Sequence, residues 1–211
     1  MGFVPSKTMS LIHFDNKNIA TNIRSQFAAK VVDISQYLGV NPDWLMQLMY
    51  AESKLNYLAK NTQGGRLVAA GLIQWTVASG VDPNFILTLS PLEQLDRVKA
   101  YFTPYRNKMK SYFDMYLVTF FPAAVGKSDT YVFETSKLKA STIAQQNPAV
   151  NSITKDAKIT MAEFKKYVLD STPVAVRSAV FGVFETIKSG GGIVVTVAIA
   201  ALFYSAYKLI V

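Results

Sequence analysis

A glutamate on the apolar face of a predicted helix is the first feature of this sequence that could do chemistry. In the stretch LMQLMYAESKLN, Leu45, Leu48 and Met49 share one helical stripe, and the next position on it is Glu52. Burying a carboxylate is costly unless the group is paired or protonated. Either the helix ends there and Glu52 reaches water, or the protein uses a carboxylic acid in an apolar setting.

The helix that carries this glutamate has a well-marked start. Asn41 can cap it, Pro42 suits the first helical position, and Asp43 complements the positive end of the helix dipole. We therefore predict that the helix begins at Pro42. An amphipathic helix over about residues 18–38 is predicted to precede it and to stop at Gly39.

A second motif, GLIQW at residues 71–75, follows downstream. The pairing of Glu52 and Ser53 with this motif resembles the lysozyme-like lytic transglycosylases of the soluble-lytic type. These enzymes cleave the β-1,4 bond between N-acetylmuramic acid and N-acetylglucosamine in peptidoglycan. The stretches LGVNPDWLMQLMYAES, EQLDRVKAYFTPY and DMYLVTFFPAAVGKSDTYVF extend the resemblance over about residues 27–133, toward versions of the domain found in bacteriophage proteins.

The resemblance implies that Glu52 is the general acid and later the base. That role needs a carboxyl still protonated near neutral pH, which an apolar surrounding favours. Most glycosidases use two carboxylates, whereas in this family the 6-hydroxyl of the sugar replaces water and closes an anhydro ring. The nearest downstream acid, Asp82 in GVDPNF, is interpreted as a turn residue. A single-glutamate hydrolase remains an alternative.

The resemblance also implies a set of substrate-binding residues: Ser53, Gly71, Leu72, Gln74 and Tyr116. Gln74 matches the family's glutamine that lines the sugar groove, and Gly71 would let the backbone approach the glycan. Ser53 could hydrogen-bond beside Glu52. Tyr116, ahead of FFPAAVG, is the candidate for the tyrosine of the family's third motif. Trp75 is interpreted as a core residue.

Two further helices complete the predicted globular part. SPLEQLDRVKAYF begins with Ser90 as a cap, Pro91 in the first position and Glu93 as capping-box partner. MYLVTFFPAAVG is typical of a buried helix stopped by Pro122 and Gly126. No run alternates over strand length, so the predicted fold class is mainly α: a lysozyme-like domain, a helical hairpin and one C-terminal transmembrane helix.

The segment NSITKDAKITMAEF has the rhythm of an EF-hand loop, with ligand positions at Ser152, Thr154, Asp156, Thr160 and Glu163. The first position is serine instead of aspartate, and Ala157 stands where the loop needs glycine. We therefore predict no calcium. His13 is the one histidine and the chain has no cysteine, so no metal site or cofactor is expected.

The last segment is apolar on all sides. Residues 189–207 contain no charged residue, and about twenty residues span a bilayer as a helix. We predict a transmembrane helix over about residues 193–211, following an amphipathic helix and a glycine hinge. The alternative is a core helix of the globular domain. The predicted organisation is thus a catalytic domain over 1–135, a degenerate EF-hand-like segment over 136–172, and the membrane segment over 173–211.

The net charge of +8, from 22 basic and 14 acidic residues, favours polyanionic partners. No nucleic-acid-binding signature accompanies this charge, so glycan strands and a lipid bilayer are the expected partners, with viral capsid or membrane proteins beside them. We expect a virion-associated lytic transglycosylase in an internal viral membrane or, alternatively, a bacterial inner membrane. A non-catalytic viral scaffold that retains the fold is the alternative from another class.

Overall fold

The computed structural model describes residues 11–151 and 154–182, and these residues are mainly helical. The first two helices follow their sequence signals closely. After a short 3₁₀ turn, α1 runs over Arg24–Leu38 and ends at Gly39, whose φ of +74° is the left-handed conformation that favours glycine. Helix α2 spans Pro42–Ser53, and the Asn41 side chain accepts a hydrogen bond from the Asp43 amide, as the capping signal predicted.

A small antiparallel hairpin was not predicted. Strands β1 (Lys60–Gln63) and β2 (Arg66–Ala70) pair across Gly64 and Gly65, both of which have positive φ. Two adjacent glycines with this conformation fit a tight hairpin turn. The Gly-Gly pair was the available signal, but the flanking residues of β1 are polar and mostly exposed, so no alternation of apolar residues accompanied it.

The middle helices enclose the apolar core. A short helix α3 (Pro83–Ile86) precedes α4 (Pro91–Phe102), where Ser90 and Glu93 form the predicted capping box. Helix α4 buries Leu95, Val98 and Phe102. Helix α5 (Tyr112–Phe120) is buried over most of its length and gives way to a 3₁₀ turn at Pro122–Ala124.

The C-terminal helices share that core. They are α6 (Ala140–Gln146), α7 (Pro148–Asn151), α8 (Met161–Ser171) and α9 (Val174–Phe181). The ring of Phe164 on α8 lies 5.0 Å from Phe120 and 5.6 Å from Phe133, centroid to centroid. The buried residues on both sides of residue 135 therefore belong to one hydrophobic cluster, although the sequence placed a segment boundary there.

Among the described residues, no helix is both long and apolar enough to cross a bilayer. The predicted transmembrane helix at 193–211 and its glycine hinge lie outside those residues, as does Ser152 of the EF-like loop.

Candidate functional site

Glu52 lies in the last turn of α2, where the helix leaves the core. Leu45, Leu48 and Met49 are fully buried, whereas Glu52 is half-buried. The chain then turns through Lys54 and Leu55, with φ of +55° and +62°. The carboxylate thus stands at the negative end of its own helix dipole, close enough to the Lys54 ammonium group for the two charges to interact. The sequence offered two interpretations of Glu52, a helix-end residue or a carboxylic acid in an apolar setting. In the structure the helix does end here, and the half-buried Glu52 follows directly on the buried apolar stripe of α2.

Two buried tyrosines of α5 lie near this carboxylate. Burial raises the pKa of Tyr116 well above its ordinary value, and the charge of Glu52 and a hydrogen bond with Glu52 raise it further. Burial and the same charge also raise the pKa of Tyr112, while the nearby Gln47 side chain lowers it. Both phenols therefore stay protonated at neutral pH, and Tyr116 can act as a fixed hydrogen-bond donor to the Glu52 carboxylate.

A third tyrosine comes from α8, outside the region that the sequence assigned to catalysis. Burial and the charge of Glu52 raise the pKa of Tyr167 to about 12. One turn earlier on α8, Phe164 packs against Tyr116 with ring centroids 5.9 Å apart, so this face of α8 lies over the glutamate site. Tyr167 is half-buried, unlike Tyr112 and Tyr116. Its place on the apolar face of α8, three residues after Phe164, was a usable sequence signal.

The GLIQ motif forms a closed turn. Ala70 and Trp75 exchange backbone hydrogen bonds of 3.0 and 2.8 Å, and residues 71–74 bulge between them. Gly71 has a φ of +80°, and a Cβ at this position would lie 2.4 Å from Ile86 Cγ2 and 2.7 Å from Gln94 Oε1. Glycine is therefore required here by backbone conformation and by packing. Trp75 is 2% exposed, which confirms its interpretation as a core residue.

A serine joins this turn to the end of α2. Ser53 Oγ lies 2.9 Å from the Met49 carbonyl oxygen and 3.0 Å from that of Leu72. Because the hydroxyl has one proton, it donates to one of the two at a time. Ser53 therefore holds the turn against the helix end that carries Glu52.

A buried glutamine, which sequence reasoning missed, fixes the turn from the other side. Gln94 Oε1 accepts from the Leu72 amide at 3.0 Å, while its Nε2 donates to the carbonyl oxygens of Tyr57 at 2.8 Å and Ile86 at 3.0 Å. Gln94 is fully buried, so these bonds offset the cost of its desolvation. The signal was present, because Gln94 shares a helical stripe with Val98 and Phe102.

The five predicted substrate-binding residues are brought together, but all five are buried. Gln74 is 4% exposed, has a φ of +52°, and its Nε2 donates to the Gly71 carbonyl at 3.0 Å. Ser53, Gly71, Leu72 and Tyr116 are buried as well. Direct contact of these five residues with a glycan therefore stays a prediction. Asp82 is exposed and caps α3 through the Asn84 amide, as its interpretation as a turn residue predicted.

In the EF-like loop, the side chains at the predicted ligand positions form hydrogen bonds with one another. The side chain of Glu163 accepts hydrogen bonds from the Thr160 amide and hydroxyl, both at 2.7 Å, and from the Thr154 hydroxyl. His13 Nε2 lies 2.8 Å from Gln47 Oε1, and its ring stacks on Tyr50. Within residues 11–151 and 154–182, no three His, Cys, Asp or Glu residues are grouped as a metal site would require.

No protein-family model, curated protein or solved structure matches this chain.

Proposed function

We propose that this protein is a peptidoglycan-cleaving lytic transglycosylase with a lysozyme-like fold, in which Glu52 is the one catalytic carboxylate. The observation that carries the proposal is the position of Glu52. It is half-buried at the end of α2, close enough to the buried Tyr116 phenol for its charge to raise the pKa of that phenol, and next to a turn that Ser53 and Gln94 hold in place. Such a site can keep an acid in a fixed orientation while leaving one side open to substrate.

In the proposed reaction, the protonated Glu52 carboxyl donates its proton to the glycosidic oxygen. The bond from C1 of N-acetylmuramic acid to that oxygen breaks, and N-acetylglucosamine leaves with a free hydroxyl. The Glu52 carboxylate then accepts the proton of the muramic acid 6-hydroxyl as its oxygen bonds to C1. The product is a 1,6-anhydro sugar, the proton has returned to Glu52, and no water is consumed.

The tyrosines would stabilise the second half of this cycle. After the first proton transfer, Glu52 is an anion at the unfavourable end of a helix dipole. A hydrogen bond from the Tyr116 phenol favours that anion. Tyr167 lies on the more accessible side, where it can contact either the carboxylate or the bound sugar.

Two alternatives keep the fold. A muramidase would use the same glutamate and let water attack C1, which gives a reducing end. A non-catalytic scaffold would bind glycan without cutting it. The scaffold is less favoured, because a half-buried carboxylate at a helix C-terminus lowers stability and gives a purely structural protein no benefit.

Mass spectrometry of digested murein sacculi separates these alternatives. The transglycosylase should release anhydro-muropeptides, and Glu52→Gln should release none. Reducing ends would indicate the muramidase. If the wild-type chain and Glu52→Gln are equally inactive on sacculi, the scaffold is correct and the catalytic proposal fails.

The cellular setting belongs to the same proposal. We place the enzyme on glycan strands next to a lipid bilayer, tethered through residues 193–211 to the internal membrane of a virion or to a bacterial inner membrane. The apolar sequence of that segment and the basic charge of the chain support this setting.

A further inference from the structure

A strip of cations lies on the surface where α1 and α4 end. It consists of Lys99, Arg106, Lys108 and Lys110. The Lys99 Nζ atom lies 4.2 Å, and the Arg106 Cζ atom 4.4 Å, from the centroid of the Tyr37 ring. None of the four forms a salt bridge with a carboxylate in the part of the chain that the structure describes. The strip therefore carries uncompensated positive charge.

The backbone under this strip is fixed. The amide of Asn107 donates to the Leu38 carbonyl at 3.0 Å, and the amide of Lys108 donates to the Tyr105 carbonyl at 2.9 Å. The Lys110 amide donates to Asp114 Oδ2 at 2.8 Å, and the same oxygen accepts from the Ser111 hydroxyl. The Asp114 carboxylate thus orders the start of α5. Among the described residues it forms no salt bridge with Lys108 or Lys110, and both lysines are exposed.

An apolar pocket of about 420 Å³ continues the strip, and its lining includes Asn41, Trp44, Lys110, Phe113, Phe181 and Gly182. Trp44 donates from Nε1 to the Val180 carbonyl at 2.7 Å, which ties α9 to the start of α2. Gly182, the last described residue, lines this pocket, and in the sequence residues 189–207 contain no charged side chain.

We propose that the strip is a docking surface for the phosphate headgroups of an anionic lipid bilayer. Two observations favour lipid over a soluble polyanion: the last described residue, Gly182, lines the pocket and is followed in the sequence by an apolar stretch, and the pocket itself is apolar and adjoins the cations. Each lysine or arginine near an anionic membrane adds a similar electrostatic attraction. The proposal does not depend on whether Glu52 cleaves murein.

Docking here would also orient the glutamate site. Helix α2 begins beside the pocket at Pro42 and carries Glu52 at its other end, about 15 Å along the axis at the usual rise per residue. With the start of α2 against lipid headgroups, Glu52 would stand at the end of α2 that is remote from the docked pocket.

The test reconstitutes the full chain into vesicles of phosphatidylcholine, with or without phosphatidylglycerol, that contain a headgroup nitroxide quencher. The chain has two tryptophans, Trp44 at the pocket and Trp75 buried in the GLIQ turn. The part of the tryptophan fluorescence quenching that disappears in Trp44→Phe therefore comes from Trp44 and reports on the proposed surface. The strip variant is Arg106→Gln/Lys108→Gln/Lys110→Gln. The matched control, Arg66→Gln/Lys60→Gln/Lys155→Gln, removes the same number of exposed cations elsewhere.

We expect the fluorescence of Trp44 to be quenched in vesicles that contain phosphatidylglycerol, and this quenching to be lost at high salt. Docking should be about a hundredfold weaker in the strip variant, whereas the control should dock like the wild type. Equal quenching in both lipids, or equal loss in both variants, would overturn the proposal. So would a chain that floats with neither vesicle, or a strip that binds soluble polyphosphate while the anionic vesicles leave Trp44 unquenched.

Discussion

Glu52 and Glu163 both interrupt an apolar helical face, yet they stand at opposite ends of their helices. Glu163 lies in the first turn of α8, where the Thr160 amide and hydroxyl and the Thr154 hydroxyl bind its carboxylate. Burial opposes its ionisation, but those hydrogen bonds outweigh burial and lower the pKa of Glu163. Glu52 lies in the last turn of α2, against the helix dipole and next to tyrosines.

The two carboxylates therefore differ in their expected effect on stability: Glu163 stabilises the fold, whereas no comparable stabilisation is expected from Glu52. Glu163 satisfies the start of its own helix, so its charge is an advantage to folding. Glu52 satisfies no helix start, and the surrounding bonds of Ser53 and Gln94 fix the turn beside it. We therefore expect changes at Glu52 to alter activity and changes at Glu163 to alter stability.

The largest expected effect is on catalysis. Glu52→Gln keeps the size of the side chain but cannot cycle a proton, so murein clearing in a turbidity assay should fall at least about a hundredfold. The matched Glu163→Gln should keep wild-type activity. Unchanged clearing by Glu52→Gln would remove Glu52 from the mechanism and cancel the contrast between the two acids.

Removal of the Tyr116 phenol, the proposed hydrogen-bond donor to Glu52, should have the next largest effect. Tyr116→Phe should lower turnover about tenfold, the scale of one charge-assisted hydrogen bond. Because the lost donor favoured the anion, the protonated acid should persist to higher pH, and the alkaline limb of the pH–activity profile should move upward. A loss of turnover with an unmoved profile would mean that Tyr116 acts only through packing.

Tyr167 tests whether α8 belongs to the site. Tyr167→Phe should reduce kcat/KM severalfold, because a half-buried phenol near Glu52 is removed without a change in ring packing. The control is Tyr131→Phe, another half-buried tyrosine, whose hydroxyl donates to the Glu134 carbonyl. If both variants match the wild type in kcat/KM, α8 contributes structure alone.

At Glu163 the expected effect is on stability. Glu163→Ala should lower the free energy of unfolding by about 1 kcal/mol at pH 7, because it removes the partner of Thr160 and Thr154. The pKa of this acid is lowered from an ordinary 4.5. Its contribution should therefore be complete above pH 4.5 and disappear as pH falls further. Chemical denaturation across this range, with exposed Glu134→Ala as control, measures the difference.

The smallest expected effect is that of calcium. The ligand positions of the EF-like loop bind one another, and Ala157 replaces the required glycine. Millimolar calcium should leave the melting temperature unchanged, since a ligand stabilises a protein only by binding its folded state. A rise with calcium and none with magnesium would show that Glu163 can exchange its threonine partners for a metal ion.

The sequence by itself determined the local elements, because their signals are local. Asn41 with Pro42, Ser90 with Glu93, and Gly39 set helix ends through bonds within a few residues. The apolar stripe that ends at Glu52 likewise followed from helical spacing alone. The hairpin was missed because its strands are short and largely polar, and only the Gly-Gly turn marked it.

Only the tertiary structure decided what surrounds the glutamate. Tyr167 comes from α8 and lies close enough to Glu52 to be affected by its charge, and Gln94 comes from α4 and bonds the GLIQ turn beside Glu52, because the helices share one core. In the structure Gln74 is buried, and the side chains of Ile86 and Gln94 occupy the space next to the Gly71 Cα. The sequence analysis had assigned that space to the substrate. Residue spacing predicts which side chains share a helix face, but it does not predict which distant helix packs against that face.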